Sequence, residues 1–212
     1  MTCSSSLSDT FTPLVPDTSV LINLHACSQG VQVFRSIPNK IVVSDVVAAE
    51  LDHETSHANG ENDFFRNLVS MGLVEVVRLD DPAFRIFEML TAAPDSLGDG
   101  EAATIALAAT RDLVPVIDER KGRRRAADLM GGQAPAWSLD LLLHPAVQAG
   151  LPDGAYIEAI FRALSEGRMR IDEARCDAVV ALIGPERAVQ CTCLPGFRSR
   201  RMAWMHRSES LL

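Results

Sequence analysis

The chain has 212 residues, an apolar share of 47% and a formal net charge of −8. That length allows one domain of ordinary size with an appendage, and the apolar share can fill a core. The negative balance excludes a protein that coats nucleic acid by overall charge, but not a nucleic-acid enzyme, because bound metal or a local basic patch can invert the field at a site.

Residues 1–12 are rich in Ser and Thr and read as a flexible N-terminal segment. Leu14-Val15-Pro16 is an apolar run halted by Asp17, followed by Thr18, Ser19 and a second apolar run. The pattern predicts a buried strand that delivers a carboxylate at its C-terminal end, then a helix capped near Thr18 or Ser19 and reaching about Gly30. A plain helix N-cap at Asp17 is the alternative. Ile41-Val42-Val43 is a second buried strand, after which Ser44 or Asp45 caps a helix carrying Val46, Val47, Ala49, Glu50 and Leu51. The polar stretch 53–63 ends that helix, and 64–71 reads as helical. Leu73 to Val77 reads as a strand, and Asp81-Pro82 opens another helix with proline in its first turn.

A loop over 94–100 leads into a small-residue helix over 99–111. Val114-Pro115-Val116-Ile117 is a strand ending at Asp118. A basic amphipathic helix over 120–130 follows, then a short strand at Ala134 to Trp137 and helices over 139–150 and 153–164, with Gly150 as a C-cap. Order is expected to fade after about Ile183, leaving a tail that carries Arg198, Arg200, Arg201 and Arg207. Strands alternating with helices are the signature of an α/β fold with a mostly parallel sheet and helices on both faces.

Five cysteines, of which only Cys191 and Cys193 stand close together, do not make a secreted disulfide framework, and without a second pair nearby they make a poor zinc site. The N-terminus shows no basic or apolar signal segment, and no apolar run approaches the roughly 20 residues of a membrane span. A cytoplasmic protein is expected.

Four acids fall at the functional edge of successive units: Asp17 and Asp118 at strand ends, Glu50 in the second helix and Glu101 at a helix start, where negative charge is favoured. Asp99 and Glu119 stand beside two of them. Two carboxylates about 4 Å apart repel by roughly 4 kcal/mol at an effective dielectric of 20, so such a cluster takes up protons or a cation. Oxygen-only ligands suit Mg²⁺ or Mn²⁺, and phosphodiester hydrolysis is the chemistry such an ion supports. Taken singly, each acid also reads as a helix cap or surface group.

Pro16-Asp17-Thr18-Ser19, Val46-Val47-Ala48-Ala49-Glu50-Leu51, Leu97-Gly98-Asp99-Gly100-Glu101 and Val116-Ile117-Asp118-Glu119-Arg120 resemble the four acidic motifs of PIN domains. These are metal-dependent ribonucleases that include the VapC-type toxins. The resemblance covers about residues 14–170, its first and third motifs being the most specific. It implies a three-layer sandwich with a central, mostly parallel sheet. The organisation is then a nuclease domain over 13–172 and a C-terminal helix and basic tail over 173–212. It further implies Asp17, Glu50, Glu101 and Asp118 as catalytic metal ligands, with Asp99 joining them and Ser19 fixing the first acid or the water. Asp118 rather than Glu119 is expected to point inward. An RNA substrate, a cognate antitoxin and a homodimer follow from the same resemblance. Pro16 directly before the first acid departs from the pattern.

On a helix, Lys121, Arg124 and Arg125 share a face and could hold an RNA backbone beside the acids; a solvated face accounts for them equally well. His53-Glu54-Thr55-Ser56-His57 matches HExxH, with Gly60 and Asp63 extending the match toward a zinc metalloprotease. The polar surroundings and the alternating strand–helix order oppose that reading and favour an exposed helix end. A catalytically silent PIN fold used only for binding, and a housekeeping RNA-processing nuclease, are further alternatives.

Overall fold

The computed structural model describes residues 7, 9, 11–92, 94–152 and 154–209, except for the side chains of 207–209. Most of the expected N-terminal segment, Cys3, Asp153 and the Arg207 side chain lie outside these. Within that N-terminal segment Leu7 is buried in the main core, and Asn39 Nδ2 donates to Asp9 O and Thr12 O at 2.7 and 2.9 Å.

The chain is mixed α/β, mostly helical, with small parallel sheets. Strand β1 (Leu14–Pro16) pairs parallel with β4 (Val114–Val116), and β2 (Val42–Ser44) with β3 (Glu75–Val77). Parallel bridges at Leu14–Ile41 and Val116–Ala136 link the pairs and add the short strand expected at Ala136. Pro16 has a physical reason for its place. Leu14 N–H bonds Lys40 O on the β2 side, whereas Asp17 N–H bonds Val116 O on the β4 side. By alternation the nitrogen of Pro16 faces β2, beyond the single bridge, so its missing donor breaks no ladder bond.

Strand faces are shared by different helices. Val15 and Val42 pack with Leu107 and Ala108 of α7 (Asp99–Arg111), whose alanines let it lie close across β1, β2 and β4. Leu14, Val43, Val114 and Val116 face the main core, with Val20 and Leu24 of α1 (Thr18–Ala26) and Ala159 and Ala163 of α11 (Ala155–Ser165).

Between these come α2 (Gly30–Ser36), α3 (Asp45–Glu50), α4 (Glu54–Ala58), α5 (Glu61–Ser70), α6 (Asp81–Thr91), α8 (Arg120–Leu129), α9 (Ser138–Leu142) and α10 (Pro145–Gly150). Two expected helices are each divided. The one ending near Gly30 stops at Ala26, and Ser28 turns through a left-handed φ of 59° into α2. The one over 139–150 is cut by Pro145, whose ring cannot continue α9. Gly150 is the last residue of α10 rather than its C-cap, and it lies against Ser36 of α2, where a Cβ would collide with Oγ.

Order does not fade after Ile183. The segments α12 (Glu173–Ile183), α13 (Pro185–Ala188) and α14 (Phe197–Glu209) follow, and Cys176, Cys191, Leu194 and Trp204 are buried in the same core as β1 and α1. Arg200 of the expected basic tail is tied to Asp177 at 2.7 Å. Among the described residues no helix is long and apolar enough to cross a membrane.

Candidate active site

Asp17 ends β1 and caps α1 at once. Its Oδ1 accepts from Val20 N and from Ser19 Oγ, both at 2.8 Å, so the strand-end and N-cap readings describe one geometry. Asp118 follows β4 one strand over. Its Oδ2 accepts from Asn23 Nδ2 and its Oδ1 from Ser138 N, each at 2.8 Å. Both acids are buried, at 4% and 3% exposure. Burial is the main force pushing the Asp17 carboxyl up to about 8, with the neighbouring Asp118 adding to it; burial likewise raises Asp118 to about 6.

Glu50, the last residue of α3, is clamped from two sides: Oε1 accepts from Gly100 N at 2.8 Å and Oε2 from the Thr18 hydroxyl. A Cβ at Gly100 would collide with both Glu50 Oε2 and Thr18 Oγ1. Glycine two residues into α7 is therefore what lets the helix start approach the second acid. Glu101 is next in line. Burial raises its carboxyl to about 7, Glu119 contributes, and its Oε1 is buried without a hydrogen-bond partner among the described residues. Gly122 of α8 makes room for it, since a Cβ there would overlap Oε1. Gly122→Ala should displace the Glu101 carboxylate and lower any cleavage activity roughly 10²-fold, with little change in the unfolding midpoint.

These four acids, with Ser19, line one cleft of about 400 Å³. Glu119 lines it too, but its side chain is partly exposed and ion-paired with Arg170. Asp118 is thus the inward member of the pair. Asp99 is exposed on the first turn of α7 and does not line the cleft. Among the described residues no three carboxylate, imidazole or thiolate groups stand together as a ready coordination shell; the acids border the cleft, each held by its own donors. The donor set nevertheless fits a hard divalent cation. It is all oxygen, three of its carboxyls are held above the usual range, and Glu101 Oε1 lacks a donor.

The basic residues fall elsewhere. Lys121 Nζ donates to Ser96 O at 2.8 Å, Arg124 is exposed, Arg125 Nε is buried without a partner, and none of the three lines the cleft. Arg123 serves the fold. Its guanidinium donates to the carbonyls of Ile117, Pro135 and Ala136 at 2.6–2.7 Å and lies 3.6 Å from the Trp137 ring centre. The cationic wall of the cleft comes instead from Arg168 and Arg170, after α11.

His53, Glu54, His57 and Asp63 are exposed and away from the cleft, and His57 Nε2 lies 3.2 Å from Asp52 Oδ1. The HExxH match is a polar helix end. Sequence reasoning missed Thr18, Asn23 and Ser138. Asn23 alone left a signal: it sits four residues after Ser19, so one helical face carries both polar side chains into an otherwise apolar helix.

A PIN-domain family model (the DUF3368 family) matches residues 13–185. The chain belongs to the PIN-domain family. The match extends past the expected limit near Arg170 and takes in α12. No curated protein and no solved structure matches the chain.

Proposed function

We propose that this PIN domain is a divalent-metal-dependent endoribonuclease, its parallel strands forming the middle of a three-layer fold. The observation that carries the proposal is the cleft itself: Asp17, Glu101 and Asp118, their carboxyls raised by burial, border it beside a clamped Glu50. PIN domains are often nucleases, and the segments that carry the four acids resemble the family's four acidic motifs.

Asp17, Glu50, Glu101 and Asp118 would hold Mg²⁺ or Mn²⁺. When bound, the ion neutralises the clustered charge and makes water a better nucleophile at neutral pH. The chain does the rest. Ser19 Oγ and Val20 N orient Asp17; Asn23 and Ser138 N orient Asp118; Thr18 and Gly100 N fix Glu50. Glu101, its carboxyl raised to about 7 by burial, would be the acceptor for the proton that the attacking water loses. Water adds to phosphorus and the bond to the 3′-oxygen breaks. The resemblance to VapC-type toxins extends the proposal to the toxin of a type II pair, with a cognate antitoxin and a homodimer.

Purified protein with a structured RNA in Mn²⁺, in Zn²⁺ and in EDTA tests this, with His53→Ala/His57→Ala alongside. Cleavage is expected in Mn²⁺, absent in EDTA and unchanged in the double variant. Activity that needs Zn²⁺ and both histidines would reject the carboxylate site. No cleavage together with no manganese binding would leave the fold as a binding module. Co-purification with the product of a small adjacent gene checks the antitoxin.

A further inference from the structure

We propose that Arg168 is an RNA-binding residue of this cleft, its guanidinium holding a backbone phosphate beside the acids; the proposal rests on the nuclease reading above. Three observations carry it. The first is location: Arg168 lines the same cleft as Asp17 and Asp118. RNA approaching a chain of net charge −8 needs a cation at that place; none of Lys121, Arg124 and Arg125 lines it, although the Lys121 charge is felt at Glu101.

The second is conformation. Arg168 has a left-handed φ of 59°, an unfavourable geometry for a residue with a side chain. Its neighbours hold it there. A Cβ at Gly167 would lie 2.8 Å from both Ala163 O and Asn23 Oδ1, so the backbone is pressed against the residue that anchors Asp118. Met169 is fully buried and donates its N–H to Ala163 O at 2.9 Å. The segment cannot relax without leaving the core, and its geometry puts an arginine where glycine would be easier.

The third is charge. Arg170 is ion-paired with Glu119. Arg168 is exposed and has no ion-pair partner among the described residues, although five acids line the cleft. An unneutralised guanidinium in an acidic cleft suits an anionic ligand, and its fork of donors matches phosphate oxygens.

The test is the affinity of a labelled single-stranded RNA oligonucleotide for wild type and for Arg168→Gln, Arg168→Lys and Arg168→Gly. It is measured in Ca²⁺ over a range of salt, with DNA of the same sequence in parallel. Gln and Gly should weaken RNA binding roughly tenfold and lower the slope of log affinity against log salt by about 0.7, the value for one phosphate contact on a single strand. Lys should keep the slope. Gly should keep or raise the melting temperature, which separates lost binding from lost folding. An equal loss for DNA identifies the backbone phosphate as the contact. Wild-type affinity and slope in Arg168→Gln would overturn the proposal, as would a fall in kcat in Mn²⁺ with KM unchanged. If wild type cleaves RNA in Mn²⁺ and only the Arg168 effect is missing, this inference alone fails. If wild type neither binds nor cleaves RNA, both readings fall.

Discussion

Asp17→Asn should abolish RNA cleavage and, in EDTA at pH 8, yield a protein more stable than wild type. The first effect follows from loss of the carboxylate at the centre of the site, and a fall of roughly 10³-fold or more is expected. The second follows from the position of Asp17. Its carboxyl is raised from 3.8 to about 8 by burial and by Asp118. Below about pH 4 both folded and unfolded chains carry the proton, and the shift contributes nothing. As pH climbs from about 4 to about 8 the folded state keeps a proton that the unfolded chain has released, so stability falls across that window and stays low above it.

A shift of that size corresponds to a penalty on the order of 4–6 kcal/mol at pH 8, at about 1.4 kcal/mol per unit. Glu101 and Asp118, raised to about 7 and about 6, act in the same direction. Asparagine carries no charge and can still accept from Val20 N and Ser19 Oγ as a helix cap. The variant should therefore gain roughly 2–5 kcal/mol at pH 8 in EDTA, and far less at pH 5. Manganese at a hundredfold excess over its Kd should stabilise wild type by about 2.7 kcal/mol and leave the variant unchanged. Urea unfolding at the two pH values, with and without Mn²⁺, reads all three effects. Equal stability of variant and wild type at both pH values would show that Asp17 is charged at no cost in the metal-free protein.

Arg175→Ala should destabilise the protein by about 3 kcal/mol. Arg175 lies on α12 and reaches back to Asp140 of α9, whose side chain is only 1% exposed. Nη1 stands 2.5 Å from Asp140 Oδ1, while Oδ2 accepts from Trp137 N at 2.8 Å. Removing the guanidinium takes one counter-charge from a buried carboxylate, which costs more than loss of a surface pair. Asp172→Asn, which alters the α12 cap and the 2.9 Å contact to Arg175 Nε, should cost only about 1 kcal/mol. The two urea midpoints, compared at constant slope, check the ordering.

The readable parts of this chain were those written in one residue type at one place. Apolar runs halted by Asp17 and Asp118 marked strand ends, and the small residues over 99–111 marked a helix. The second tier was not readable, because it depends on what lies across the fold. Nothing local says that Thr18 meets Glu50, that Ser138 N meets Asp118, or that Arg123 turns under Trp137 while Arg124 faces solvent. One C-terminal helix was expected, and α13 and α14 were missed for a related reason. Cys191, Leu194 and Trp204 are too widely spaced to form a periodic apolar stripe, yet each finds the same core.

The pairing of β1 with β4 also sets a timetable for synthesis. Asp17 leaves the ribosome first, but its strand partner and Asp118 follow only about 100 residues later, roughly 5–20 s at ordinary elongation rates. The cleft wall at Arg168 and the Arg175 tie come later still, and Trp204 seals the core almost at the end of the chain. A nascent or truncated product ending near residue 172 would carry all four acids without the helices that complete their housing.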